Sequence, residues 1–275
     1  MNHTVTDKLT IPDLLSGDTQ LATPPNIYFE LQKVIDDPNK SLSDASLIIE
    51  KDPGLSIRLL KLVNSAFFGL PGTCATINKA ISMVGFKELQ NLVLATLVIE
   101  KFSSMPGGLL SMRDFWAKSV RCALYSKELG RYWEIREDLD AVFICGLLHD
   151  IGQLVFYRRV PVLAREVGLL VDANGINDVQ AEINIIGFDH YQTGAELARL
   201  WKLPEIIITS LAQHRFPEFS GDYAKTAEIV RIASQLNKMP AEDPFVDGIS
   251  AEDLSQIIDK VHDQFEQIFN VFYPS

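Results

Sequence analysis

The 275-residue sequence predicts an all-α fold in two helical halves. Three observations carry that expectation. Nearly every long segment repeats its apolar residues with the period of an amphipathic helix. No run of alternating residues bounded by turns amounts to a sheet. The clearest linker, Met105-Pro106-Gly107-Gly108, splits the helical segments into two groups.

The elements follow in order. SDASLIIEK (43–51) starts at Ser43 as an N-cap, and Asp52-Pro53 opens the next helix with Pro53 as its first residue. That helix puts Leu55, Leu59, Leu62 and Val63 on one stripe and stops at Asn64-Ser65, before the aromatic turn AFFGLPG. INKAISMVG closes on Gly85 as a left-handed cap, and the apolar helix ELQNLVLATLVIEKF follows. Beyond the linker come FWAKSVRCALYSKELG, DLDAVFICGLLHD, PVLAREVGLLVDANG, HYQTGAELARLW and PEIIITSLAQH. A last helix begins at a Ser250–Asp253 capping box, and its stripe of Ile257, Ile258, Val261, Phe265, Ile268 and Phe272 must pack on something. Trp116, Trp201, Phe102, Phe115, Phe143 and the Phe67-Phe68 pair read as core anchors rather than stacking platforms. Phe67, Phe68 and Leu70 also sit in a turn, where large apolar groups can instead meet a partner.

Composition narrows the function classes. Hydrophobic residues make up 47% and charged ones 22%, an ordinary globular balance. A formal net charge of -11 argues against nucleic-acid binding, which needs a basic surface. Cys74, Cys122 and Cys145 are odd in number and widely spaced, as expected of free thiols in a reducing compartment. The start MNHTVTDKLT lacks the pattern of a signal peptide, and LQNLVLATLVIEKF is too short to span a bilayer. The expected setting is the cytoplasm, with no membrane and no nucleic acid as partner.

Five histidines carry the chemistry. His3, in a polar tail, and His262, beside the last stripe, read as surface residues. The others stand at helix ends, in His149-Asp150, Asp189-His190 and Gln213-His214. Imidazoles and carboxylates from several helices can hold a divalent ion, which activates water for phosphoester hydrolysis. The alternative is a polar plug, in which buried His and Asp satisfy each other and the free groups of helix termini. Spacing alone favours the plug. Glu182 and Asp189 read either as partners of Arg or Lys or as solvated charges, and no phosphate-binding glycine loop is present.

LATPPNIYFELQKVIDDP, IIEKDPGLSIRLLKLVNSAFFGLPG and INKAISMVGFKELQNLVL resemble the N-terminal half of the HDOD family. FW-x-x-S at 115–119, AVFICGLLHDIGQLVF, FDHYQTGAELARLWKLP and AQHRFPE resemble its second half. The similarity covers residues 20–218 and implies a helical lobe over 20–105 packed on an HD-domain-like lobe over 109–218. An N-terminal segment (1–19) precedes them, and a helical extension (219–275) is expected to pack on the HD-like lobe. HDOD proteins are bacterial signalling modules related to the HD and HD-GYP phosphohydrolases. The resemblance therefore implies either a regulatory role or metal-dependent phosphohydrolysis.

In that comparison His149 and Asp150 match the His-Asp pair, and His190 and His214 fall where additional histidines are expected. Lys118 stands where the first His belongs, and Ser234 where the last Asp belongs. An ammonium has no lone pair to give a metal, and a hydroxyl is a poor substitute for a carboxylate. The expectation is a degenerate site with no cofactor and no hydrolysis, in which the Lys118 ammonium pairs with Asp150 in place of an ion. Function would then run through a signalling protein partner, or a small ligand. The alternative keeps a divalent metal on His149, Asp150, His190 and His214. The partner's identity and the oligomeric state are not fixed by the sequence.

Overall fold

Helix starts explain most of the architecture. The computed structural model describes residues 9–18, 21, 23–103, 111–135, 139–239 and 244–273. Among them are fifteen helices and no strand. After α1 (Ile11–Leu15) and α2 (Asn26–Asp36), α3 (Leu42–Glu50) begins at Ser41, whose hydroxyl caps the Asp44 amide while the Asp44 carboxylate returns to the Ser41 backbone. The cap expected at Ser43 therefore lies two residues earlier, because Ser41 has the acid three positions on that completes a capping box. Pro53 is the first residue of α4 (Pro53–Val63), with Asp52 as its cap, and Leu55, Leu59, Leu62 and Val63 are all buried. Gly85 ends α5 (Ile77–Val84) with a positive φ, but its ψ of 155° is outside the left-handed helical region. The long apolar α6 (Phe86–Ser103) completes the first half. The 105–108 linker and His3 lie outside the described residues.

The second half is arranged around α7 (Met112–Tyr132), which packs against α8 (Leu139–Leu148), α14 (Ala224–Leu236) and α15 (Ala251–Phe272). Gly146 lets α7 and α8 approach closely: a Cβ there would fall 2.9 Å from the Ala123 Cα. From α8 the chain turns at His149-Asp150 into α9 (Ile151–Arg159), which packs on α12 (His190–Leu200), and α12 in turn packs on α13 (Glu205–Gln213). Between them, α10 (Pro161–Asn174) pairs with α11 (Asp178–Ile185).

The two halves share one apolar core running from Leu14 to Phe272, and a smaller cluster lies between α7, α8, α14 and α15. Trp116, Trp201, Phe67, Phe102, Phe115 and Phe143 are buried in it, and Phe68 and Leu70 pack against it half-buried. The α15 stripe seats on α7 and also reaches α4 of the first half. Ser250 caps α15 as expected, although the Asp253 carboxylate takes the Ser250 and Tyr132 hydroxyls rather than the cap's own amide. All three cysteines are buried free thiols. Among the described residues, Leu139–Arg159 is the one unbent helical stretch long and apolar enough to cross a membrane, rather than the α6 run, and 72% of that stretch is buried within the fold.

Candidate functional site

The turn between α8 and α9 carries His149 and Asp150, and a second glycine decides what meets them. A Cβ on Gly152 would lie 1.9 Å from the His190 carbonyl oxygen and 2.8 Å from the Gly194 amide nitrogen. Only a glycine lets the first turn of α12 rest on α9 backbone to backbone. That approach brings His190, the first residue of α12, up to Asp150, the N-cap of α9.

Asp150 consequently lies between two imidazoles. Its Oδ2 is 3.2 Å from His149 Nε2, and its Oδ1 is 3.4 Å from His190 Nε2. His214, at the end of α13, stands edge-on to the His149 ring with centroids 5.7 Å apart. The sequence thus identified four residues that the fold does gather: His149, Asp150, His190 and His214.

Each ring is oriented from behind. His149 Nδ1 donates to the Gly146 carbonyl at 2.9 Å, and His214 Nδ1 donates to the Ser210 carbonyl at 2.8 Å. His190 Nδ1 donates to the Glu182 carboxylate at 2.7 Å, and that carboxylate also accepts from the His190 backbone N–H. All three Nε2 atoms are thereby left free of backbone duty. That of His214 is buried with no hydrogen-bond partner, while His190 Nε2 and Asp150 Oδ1 have only each other, at 3.4 Å.

Charge settles accordingly. Burial by itself would lower the His149 pKa, but the Asp150 carboxylate, with Cys122 adding to it, holds it well above the usual value. Burial would raise Asp150, and His149 and His190 hold it well below the carboxylate range. His190 is lifted to about 9 against its burial by Asp150 and Glu182. His214 is pushed down to about 3 by burial and by the neighbouring His149 charge, so it stays neutral.

The expected Lys118–Asp150 pair is not formed. Lys118 is exposed, and its carbonyl accepts from Asn237 Nδ2. The physical reason is register: the α7 residue that acts on His149 is Cys122, one turn further along, so Lys118 falls beyond the pair. The carboxylate is balanced by imidazoles instead. Ser234 is buried on α14 and offers only a hydroxyl. Lys118 and Ser234 thus stand apart from the His149, Asp150, His190 and His214 cluster as an exposed side chain and a buried hydroxyl. Among the described residues no group of three or more His, Cys, Asp and Glu is placed to hold a metal ion.

The sequence left Glu182 and Asp189 open between pairing with Arg or Lys and lying in solvent, and did not single out Tyr191 or Arg215. Glu182 is buried against His190, and Asp189 is both the N-cap of α12 and the partner of Arg215, at 2.5 Å from Nη1. Tyr191 lies between His190 and His214, with ring centroids 3.9 and 4.7 Å away. A cavity of about 490 Å³ opens beside Asp150, His190, Tyr191 and Arg215. A carboxylate seven or eight residues before a DH dipeptide was the available signal for Glu182, and it is weak.

Comparison with known proteins agrees with this geometry at the level of fold. The family model of the HDOD domain matches residues 21–217. An HDOD protein from Geobacter sulfurreducens superposes with a TM-score of 0.74 at 21% identity, covering 96% of each chain. A Shewanella amazonensis SB2B structure bearing a provisional phosphohydrolase name gives 0.72 at 24% identity, over 93% of this chain and 98% of that one. A signal-transduction-type protein from Marinobacter aquaeolei VT8 gives 0.63 at 18%, over 91% of this chain and 58% of that one. An uncharacterized Treponema pallidum protein is 30% identical over 261 residues, 88% of this chain. The chain spans 47% of that relative, about half its length.

Proposed function

The chain belongs to the HDOD domain family, and on that premise we propose that it is a cytoplasmic signal-transduction module that works by binding rather than by hydrolysis. One observation supports the reading: at the two positions that the family resemblance assigns to the outer ligands, the chain carries Lys118 and Ser234, neither an imidazole nor a carboxylate. Helix α7 leaves Lys118 in solvent and sets Cys122 beside His149, while α14 carries Ser234 as a buried hydroxyl. Asp150 is neutralised by His149 and His190. A carboxylate already matched by two imidazolium groups is a weak base and a weak ligand. The residual cluster then serves as a polar plug that fixes α8, α9, α12 and α13 together, and output passes through a signalling protein that recognises the fold. The signal-transduction name carried by the Marinobacter relative supports that direction.

A second reading, metal-dependent phosphohydrolysis, is favoured by a different observation. His214 Nε2 is orphaned, Asp150 Oδ1 and His190 Nε2 have only each other at 3.4 Å, and hydrogen bonds through each Nδ1 fix the ring tautomers. Such bonds orient metal-ligating histidines. If a divalent ion were bound, it would supply an activated water, and His149, Asp150, His190 and His214 would hold it.

Elemental analysis of the purified chain, with hydrolysis of bis(p-nitrophenyl) phosphate under added manganese, decides between them. The binding reading expects substoichiometric metal and no turnover. Stoichiometric transition metal with turnover lost in Asp150→Asn would overturn it. A pull-down from the native cell then identifies the partner.

A further inference from the structure

We propose that residues 10–21 form a displaceable strap whose seat on α9 and α12 is the docking groove for a short amphipathic helix of a partner protein. The proposal deepens the binding reading above but uses a different surface. Arg158 and Arg159 end α9 and Trp201 follows α12, the ends opposite those that carry Asp150 and His190. The strap also lies ahead of the region matched by the HDOD model, which starts at residue 21. Its signals are its own. Thr10 and Asp13 form a capping box, and Gly17, with a φ of 78°, stops α1 just past the Ser16 cap. Five residues fall far short of the roughly 12–15 that an isolated helix needs in water, so the seat supplies the stability of α1.

Side chains of the seat hold the strap by its main chain. Helix α1 packs on α9 and α12, and Leu14, Leu15 and Leu21 are buried. Arg159 donates from Nε to the Leu14 carbonyl at 2.7 Å and from Nη2 to the Ser16 carbonyl at 2.9 Å. Those are carbonyls that a helix end leaves unpaired, and a cation suits the negative end of the dipole. Arg158 grips the Asp18 carboxylate through Nε at 2.5 Å and Nη2 at 3.3 Å. Trp201 Nε1 donates to the Leu21 carbonyl at 2.7 Å, and Lys101 of α6 takes the Thr23 carbonyl where the strap leaves.

The seated strap shows what the groove accepts. It takes a leucine pair, the bare carbonyls of a helix end, and a carboxylate three residues after the pair. In a chain of net charge -11, two adjacent arginines at the seat select an acidic segment. Main-chain carbonyls, leucines and one aspartate are contacts that an unrelated sequence can reproduce. The strap makes them as a tethered ligand, at an effective concentration on the order of millimolar, so a partner must displace it. The Arg158 and Asp18 side chains keep 22% and 14% of their exposure, and the strap can open without the core behind it.

The test adds a fluorescein-labelled peptide, TIPDLLSGDTQLATP (10–24), to the full chain and reads anisotropy. Leu14→Ser with Asp18→Asn releases the strap, and that chain should bind the peptide at least about tenfold more tightly than the unaltered one. A second peptide keeping only the three leucines, the glycine and the second aspartate, with alanine or glutamine elsewhere, should bind comparably. Lysine in place of that aspartate should abolish binding, and Arg158→Gln in the released chain should weaken it about tenfold. The proposal is overturned if the released chain melts as a folded protein yet binds no peptide, or if binding ignores both charge changes. Dimerisation of the unaltered chain that the peptide dissolves would overturn it in favour of strap exchange between copies. Should the released chain not fold, hydrogen exchange of the unaltered chain decides. The Leu14 and Ser16 amides, bonded within α1, should exchange by local opening, well before those of α9 and α12. Exchange only through global unfolding would overturn the strap. Phosphodiester turnover would overturn the binding reading, whereas the peptide judges the seat alone.

Discussion

Two charged clusters are buried in this molecule, and they differ in kind. In the first, Asp150 lies between His149 and His190, backed by Glu182, beside a cavity that reaches solvent. In the second, Lys127 of α7 pairs with Glu88 of α6, joining the two halves, and the Phe67 and Phe68 rings close over the ammonium at 4.9 and 5.2 Å. Both contain a buried carboxylate oxygen without a hydrogen-bond partner, Asp150 Oδ1 and Glu88 Oε2. Asp150 and His190 of the first line an open cavity, while the second is sealed by aromatics. Burial of charge therefore marks a strong constraint, and only an open cavity beside it leaves room there for something else to bind.

The largest effect expected is at the backbone contact that assembles the first cluster. Gly152→Ala would drive a methyl into the His190 carbonyl, which cannot move without shifting α12. A loss of more than about 4–5 kcal/mol, or failure to fold, is expected in urea melts. Gly168→Ala on α10 is the control, since nothing lies within 4 Å of its Cβ. There the substitution should stabilise by about 0.5–1 kcal/mol. Equal effects at the two glycines would remove the case for a backbone-built site.

Next comes the sealed pair. Lys127→Met strands Glu88, whose burial already raises its pKa against the pull of Lys127. A cost of about 3–5 kcal/mol is expected, with part of it recovered when Glu88→Leu is added. Failure of the double variant to recover would mean that the pair acts through more than its charges.

Comparing the clusters also shows how much could be read in advance. The all-α class and the stripes of α4 and α15 followed from apolar spacing, which tertiary packing left intact. His149, Asp150, His190 and His214 were legible because each stands at a helix end, where a polar residue breaks an apolar pattern. Glu182, Arg215 and Cys122 were not legible as members of the site, because their roles arise from contacts between helices that no local pattern encodes. The Lys127–Glu88 pair was equally hidden: 39 positions separate its members, and each looks like an ordinary helix-surface charge. Lys118 misled because alignment to a motif does not fix register along the helix, and the α7 residue beside His149 is Cys122, one turn further on.

Acidity sharpens the comparison further, since only the first cluster contains imidazoles. His190 has a folded pKa of about 9, above its ordinary 6.5. Its stabilising contribution is fully present below pH 6.5 and is lost as pH rises towards 9. His149, also raised, acts in the same sense. His214 is the reverse, with a folded pKa of about 3. The unfolded chain takes up that proton below pH 6.5 and the folded one does not, so stability falls as pH drops from 6.5 towards 3. Asp150, held low, adds its own loss only as pH falls below its unfolded 3.8. Each unmatched proton gives a slope of about 1.4 kcal/mol per pH unit. Urea-derived stability against pH should therefore peak near 6.5, with His190→Gln flattening the alkaline limb and His214→Gln the acid limb. An unchanged profile in both variants would show that these rings titrate alike in the folded and unfolded chain.

The smallest effect belongs to the residue first expected to matter most. Lys118 and Lys127 share α7 and differ by nine positions, about two and a half turns, which puts them on opposite faces of the helix. Lys127 enters the interface with α6, whereas Lys118 is exposed, and the bond at that position, from Asn237 Nδ2 to the Lys118 carbonyl, belongs to the main chain and survives any side-chain change. Lys118→Met should therefore change stability by no more than about 0.5 kcal/mol, as surface substitutions usually do. It should also leave the pH profile intact, because Asp150 draws its counter-charge from His149 and His190. A loss above roughly 1 kcal/mol that disappears when Asp150→Asn is present would restore the ion pair across the site. With no such coupling, one helix carries two lysines of the same chemistry, and only the one facing a buried carboxylate holds the fold.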